Sequence, residues 1–297
     1  MFITKILIFF LIFPFLFSCS SSYEFLSQNE HKPKDSFSKY LLYQYQKQAD
    51  FEAKKMHDWS SAKLYSEKAL KAVNGNKLKP EKISYWKIPK QNHVELEKSY
   101  NNLMKVYQEA IKTNPYDLAV AISSLDCWAE QLEENWQIWD IERCKNNYLK
   151  AMHNIYNTIS KNEKSKNILI NNDKSNDSVV VVTKDKNKTI KQIIYFDFDK
   201  FNLNNVNLEE IKNFLIQHQS KISKYLIVGH TDTKGTKSYN MNLSLNRAKA
   251  VQNILISFGI NKNNIKTLAK GESDLAIHTN DEIAHPTNRR AVISQLN

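Results

Sequence analysis

Two groupings of histidine and carboxylate are the residues whose types and spacing invite chemistry: His230 with Asp232, and His278 with His285 around Asp281. Either would serve as a general base or as part of a metal site, given further partners. His230 and Asp232 sit two apart at the end of a predicted strand, where alternation points both to the same side. No nucleophile and no third ligand stands at a matching spacing. His278, Asp281 and His285 fall in a polar loop ahead of the last predicted strand. The residues therefore point to no catalytic group, no metal and no cofactor, and the chain reads as a non-enzyme. Of the three cysteines, Cys127 and Cys144 cannot form a zinc site by themselves. In an oxidising compartment a disulfide between them would close a loop of about 18 residues and contribute ~3 kcal/mol. The alternative is two separately buried thiols.

The N-terminus decides the compartment. Residues 1–19 read MFITKILIFFLIFPFLFSC, with Lys5 ahead of an apolar run from Ile6 to Phe17. A run of about 12 residues is shorter than the ~20 that span a bilayer, and it ends at a small residue where cleavage would occur. This is the pattern of a secretory signal. Leu16-Phe17-Ser18-Cys19 resembles the bacterial lipobox, which implies lipid modification of Cys19 and membrane attachment through it. Several acyl chains hold stably where one holds only marginally. The other reading is an ordinary cleaved signal with an incidental cysteine. By the same resemblance Ser20, a non-acidic residue after the modified cysteine, implies transfer to the outer membrane, facing the periplasm.

The elements behind these residues fall into two groups. A chain of 297 residues suits two domains. The expected organisation is a signal peptide over 1–18, a tether over 19–37, a helical domain over 38–158, a linker over 159–190 and an α/β domain over 191–297. Helical spacing of three and four joins Ala62, Tyr65, Ala69 and Ala72, and again Leu96, Tyr100, Leu103, Tyr107 and Ala110. Asn114-Pro115 marks a helix start. Further helices carry Ala119, Ile122 and Leu125, then Ile141, Tyr148, Met152 and Ile155, as a hairpin that the disulfide would pin. Ser160 to Lys191 turns polar, interrupted by Val179–Val182, which suits either a tether or a short edge strand. Beyond it, Ile193–Asp199, Tyr225–Gly229, Ile265–Ala269 and Arg290–Gln295 read as strands. Helices fall at Leu208–Leu215 and from Asn242 to about Ser257, with Gly259 as a stop. The fold class is therefore α+β in two domains, an all-helical one followed by an α/β sandwich of order βαβαββ with helices packed on one mixed sheet. The net charge of +11 comes from lysines spread among acidic and amide residues. No concentrated basic face forms, which argues against nucleic acid, while a basic surface suits anionic lipid and wall carboxylates.

Phe196-Asp197-Phe198-Asp199, Gly229-His230-Thr231-Asp232, Tyr239 through Ala248, Gly271-Glu272-Ser273-Asp274 and Asn288-Arg289-Arg290 together resemble the OmpA-like peptidoglycan-binding domain family and, with Cys19, its lipid-anchored outer-membrane members. The resemblance covers about 105 residues. It implies a wall-binding function in which Asp232 and Arg247 clamp the diaminopimelate of the wall peptide. Such a ligand end carries an ammonium and a carboxylate, so one anion and one cation suit it: Asp232 for the first, a two-pronged Arg247 for the second. Asn240 would add neutral hydrogen bonds, and Phe198 with Asp199 an opposite wall. Asn288–Arg290 is expected to tie the last strand to the first loop. The implied partners are peptidoglycan and, through Cys19, a membrane. The competing role is an envelope adaptor whose helical domain recruits another protein while the C-terminal domain only anchors it.

Overall fold

The computed structural model describes residues 21–135, 137–172, 189–218 and 224–296, the side chains of 21 and 163–172 excepted. Cys19 with the signal segment, Val179–Val182 and Trp136 lie outside the described residues. Two compact units divide at residue 80, Met1–Pro80 and Glu81–Asn297. The division differs from the expected one at 159–190, because the later helices pack with the sheet.

In the first unit α1 (Ser21–Gln28) occupies part of the expected tether, and α2 (Ser36–Phe51) pairs with α3 (Trp59–Val73). Each of the last two begins at an aspartate that accepts backbone N–H groups left free by the first turn. Asp35 accepts from Ser38 at 2.8 Å, and Asp58 accepts from Ser60 and Ser61. Ala62, Tyr65, Ala69 and Ala72 are all buried, as their spacing required, and Tyr45 stacks on Tyr65 with ring centres 6.2 Å apart.

The second unit opens with α4 (Lys90–Thr113), α5 (Pro115–Glu134) and α6 (Ile138–Asn172). Asn114 caps α5 through its Oδ1, which accepts from Asp117, with Pro115 at the first helical position. Cys127 and Cys144 form a disulfide joining α5 to α6 across a Cα separation of 5.7 Å. Beyond Ser160 the expected linker continues as helix to Asn172. No proline or glycine interrupts residues 138–172, so nothing local stops the helix.

Four strands form one mixed sheet in the order β1 (Ile190–Tyr195), β4 (Arg290–Leu296), β2 (Lys224–Gly229), β3 (Ile265–Ala269). β4 runs antiparallel to both neighbours, while β2 and β3 are parallel. α7 (Asn205–His218) follows β1, and α8 (Lys237–Ser257) links β2 to β3. Ile194, Tyr225, Ile227, Ala291 and Ile293 meet Ile211, Phe214 and Leu215 of α7 and Ala248, Val251 and Leu255 of α8 in one core. Tyr195 points the other way by alternation, and its hydroxyl donates to the Leu149 carbonyl of α6 at 3.1 Å. The first strand stops at Tyr195 rather than Asp199, because Phe196 to Lys200 turn away as a loop closed by the Lys200 N–H on the Asp197 carbonyl.

Candidate functional site

At the C-terminal end of β2 the chain approaches α8 closely. A Cβ on Gly229 would stand 1.9 Å from the Ser244 carbonyl oxygen, so only glycine permits the contact. This approach sets His230, Thr231 and Asp232 beside the α8 turn that bears Arg247. Thr231 donates its N–H to the Gly271 carbonyl, and Gly271 donates to Ser244 Oγ, which ties the loops after β2 and β3 to α8.

Arg247 is fully buried and serves as the hub. Its Nε donates to the Lys200 carbonyl and one terminal nitrogen to the His230 carbonyl, both at 2.9 Å. The other terminal nitrogen donates to the Asp197 carbonyl at 3.2 Å. The guanidinium also lies over the Phe196 ring, 5.2 Å from its centre. Burial, with Arg289 close by, lowers the Arg247 pKa to about 10, against the opposing pull of the Asp232 and Asp199 carboxylates.

Asp232 is 4% exposed. Its Oδ2 accepts from the His285 N–H at 3.1 Å and faces Arg289 at a long 3.5 Å. Arg289 carries on to Glu95 of α4 at 2.8 Å, and it also binds strand to loop, its Nε donating to the Phe196 carbonyl and its own carbonyl accepting from the Phe196 N–H. Lys145 of α6 bridges Glu95 and Asp197 at 3.1 and 2.9 Å. Burial opposes the charge of Asp197, yet Lys145, Lys200 and Arg289 together hold its carboxyl below the usual range. Asn102 of α4 meets His285 Nε2 at 2.8 Å.

The remaining residues singled out from sequence divide between interior and rim. Asn240 is buried and donates to Glu272 at 2.6 Å and to the Gly235 carbonyl, so its amide joins two loops. Phe198 is 51% exposed, and Asp199, in the left-handed region at φ 57°, accepts from the Tyr239 hydroxyl. Asn288 clamps Ile277 through both backbone groups at 2.8 Å. Of the histidines considered as bases, burial pushes His230 and His285 down to about 4, His285 with help from Arg289. His278 is exposed. Sequence reasoning missed Glu95, Asn102 and Lys145, the helical side chains that complete the charge network. Their only signal was polarity on helices that read as a separate domain.

The OmpA family matches residues 195–289, the span that holds every residue of this constellation except the three from the helices. The peptidoglycan-associated lipoprotein of Pasteurella multocida is 32% identical over 102 residues, covering 34% of this chain and 68% of the relative. The chain belongs to the OmpA family. A second relative, the peptidoglycan-associated lipoprotein of Buchnera aphidicola, is 39% identical over 103 residues, covering 34% of this chain and 58% of the relative, so the chain spans little more than half of that protein's length. Among solved structures, the peptidoglycan-associated lipoprotein from Burkholderia pseudomallei is 28% identical over 35% of this chain and 89% of its own, with a TM-score of 0.32. The OmpA-family part is thus the α/β sandwich, a mixed four-stranded sheet with α7 and α8 on one face, while α1 to α6 lie outside the match.

Proposed function

We propose that this chain holds peptidoglycan without chemically altering it and tethers a membrane to the wall. In this reading lipid on Cys19 provides the attachment, in the outer membrane and facing the periplasm. Among the described residues no helix is long and apolar enough to cross a membrane. The reading is carried by one observation: the OmpA-family match coincides with the place where its motif residues converge around Arg247 and Asp232. Two relatives bear the name peptidoglycan-associated lipoprotein, which supports the same ligand.

The ligand end proposed is diaminopimelate. A guanidinium offers five N–H groups, and the three contacts of Arg247 to backbone carbonyls leave two for a carboxylate. The ammonium of the ligand competes with Arg289 for Asp232, and the long 3.5 Å contact is the one that yields. Phe198 and Asp199 stand on the exposed rim, where the rest of the wall peptide would pass.

The test is retention of the full-length chain, in detergent, on isolated peptidoglycan, beside Asp232→Asn. Asparagine keeps an acceptor for the His285 N–H and removes only the charge, so the fold should survive and melting should show it. Wild-type retention that falls at least about tenfold in a folded Asp232→Asn chain is expected, the scale of one charged hydrogen bond. Equal retention of both proteins, or none by the wild type, would overturn the site.

A further inference from the structure

A cleft of about 210 Å³ opens between α6 and the segment from Phe196 to Asn207. It is smaller than the ~300–1,000 Å³ of sites for drug-sized ligands, so it suits a group the size of one or two residues. Of the four carboxamides that line it, two are buried, Asn146 of α6 and Asn207 of α7, 5% and 1% exposed. In both, the Nδ2 is buried and has no hydrogen-bond partner. The orientation of Asn207 is pinned, because its Oδ1 accepts from the Asn204 N–H at 3.2 Å while Asn204 Oδ1 accepts from the Asn207 N–H at 2.8 Å. The –NH₂ is therefore the group left over.

Buried donors without acceptors cost stability unless something else satisfies them. Two such donors on one cleft call for a ligand rich in acceptor oxygen. The charged lining refines the class. Lys145 is spent on Glu95 and Asp197, whereas Lys200 adds a cation at the mouth. On the α6 wall stands Glu142, whose carboxyl burial pushes up against the hydrogen bond from the Asn204 side chain; a carboxylate has further acceptor sites, and these can take an amide N–H.

We propose that this cleft is a second ligand site, formed jointly by α6, the loop after β1 and the start of α7, for the free carboxylate end of a short peptide. The carboxylate sits between the Asn146 and Asn207 amides with Lys200 nearby, and the N–H of the terminal residue faces Glu142. One wall of the site comes from a helix outside the OmpA-family match, so it is particular to this chain. The site needs no wall ligand on Asp232 and stands independently of that reading.

The experiment is calorimetric titration of the full-length chain, in detergent, with alanyl-alanine and with its C-terminal amide. The free carboxylate should bind at least about tenfold more tightly than the amide, since a hydrogen bond to a charged group is the stronger kind. Asn146→Leu should lose binding by a similar factor without lowering the melting temperature, because it removes an amide whose nitrogen is unpartnered. Asn207→Asp keeps the cap on Asn204 and should lose binding too, by repulsion. Failure of the dipeptide to bind, equal binding of the amide, or wild-type binding by both variants would overturn the site. Where the dipeptide result holds, retention on isolated peptidoglycan identifies the source. Reduced retention of Asn146→Leu names the wall peptide's own terminus, and unchanged retention names a free peptide. Loss of wall retention in Asp232→Asn with dipeptide binding intact separates the two sites.

Discussion

Arg247 binds three carbonyls in two segments, two of them in the loop from Asp197 to Lys200 and the third at His230, and its side chain is the strut on which that loop rests. A lysine there keeps the charge but not the planar fork, and one ammonium cannot reach three divergent acceptors with the same geometry. Arg247→Lys should therefore cost about 2 kcal/mol or more, since each abandoned buried acceptor costs ~1–3 kcal/mol. Urea unfolding measures it, and an unchanged midpoint would show that the carbonyls find other partners. A loss of wall binding in this variant is thus ambiguous on its own, whereas Asp232→Asn is clean. Asp232 and Arg247 were legible in the sequence because the ordered motifs carry them. What each spends its atoms on was not. The chain from Asp232 through Arg289 ends on Glu95, 194 residues from Arg289, and no local pattern announces a contact at that range.

Periodicity located the elements well where a single face is buried. The helix with Ala62, Tyr65, Ala69 and Ala72, the start at Asn114-Pro115 and the strands at Tyr225 and Ile265 fell close to their observed bounds. Element ends were less legible, since they depend on tertiary partners: β1 ends where Arg247 captures the loop, and α6 overruns because nothing in its composition halts it. Glycine positions carried more meaning than composition showed. Gly229→Ala should cost about 2–3 kcal/mol, the scale of forced overpacking, as its Cβ would press on the Ser244 backbone 1.9 Å away and part β2 from α8. Gly259 offers the contrast: its φ is 91° with open space around a Cβ, so Gly259→Ala should cost only about 1 kcal/mol of backbone strain. Paired denaturant curves test the difference. Equal costs would mean that β2 and α8 part easily around the added Cβ, and that the close approach does not make Gly229 necessary.

At the scale of the molecule, the compact unit runs from Glu81, well ahead of the OmpA-family span, and the reason is physical. α6 accepts the Tyr195 hydroxyl on the sheet face opposite α7 and α8, α4 supplies Glu95 to Arg289, and Lys145 holds Asp197. Cut away, the sandwich would expose Tyr195, which is 3% exposed in place, and would strand Arg289, 5% exposed at its side chain, without its closest carboxylate. Breaking a buried or half-buried charged pair from one side costs more than the pair's net worth, because the remaining charge keeps its desolvation penalty until water reaches it. A fragment of residues 191–297 should consequently unfold at lower urea than one of residues 81–297, followed by a signal specific to the sheet core. Glu95→Gln in the longer fragment should recover part of that difference, since it removes the charge that Arg289 meets while leaving the helices in place. Should the two fragments unfold at the same midpoint, the helices would be passengers on the sandwich. The charge network around Asp232 would then be a surface contact, and α4 and α6 would be free to serve the adaptor role.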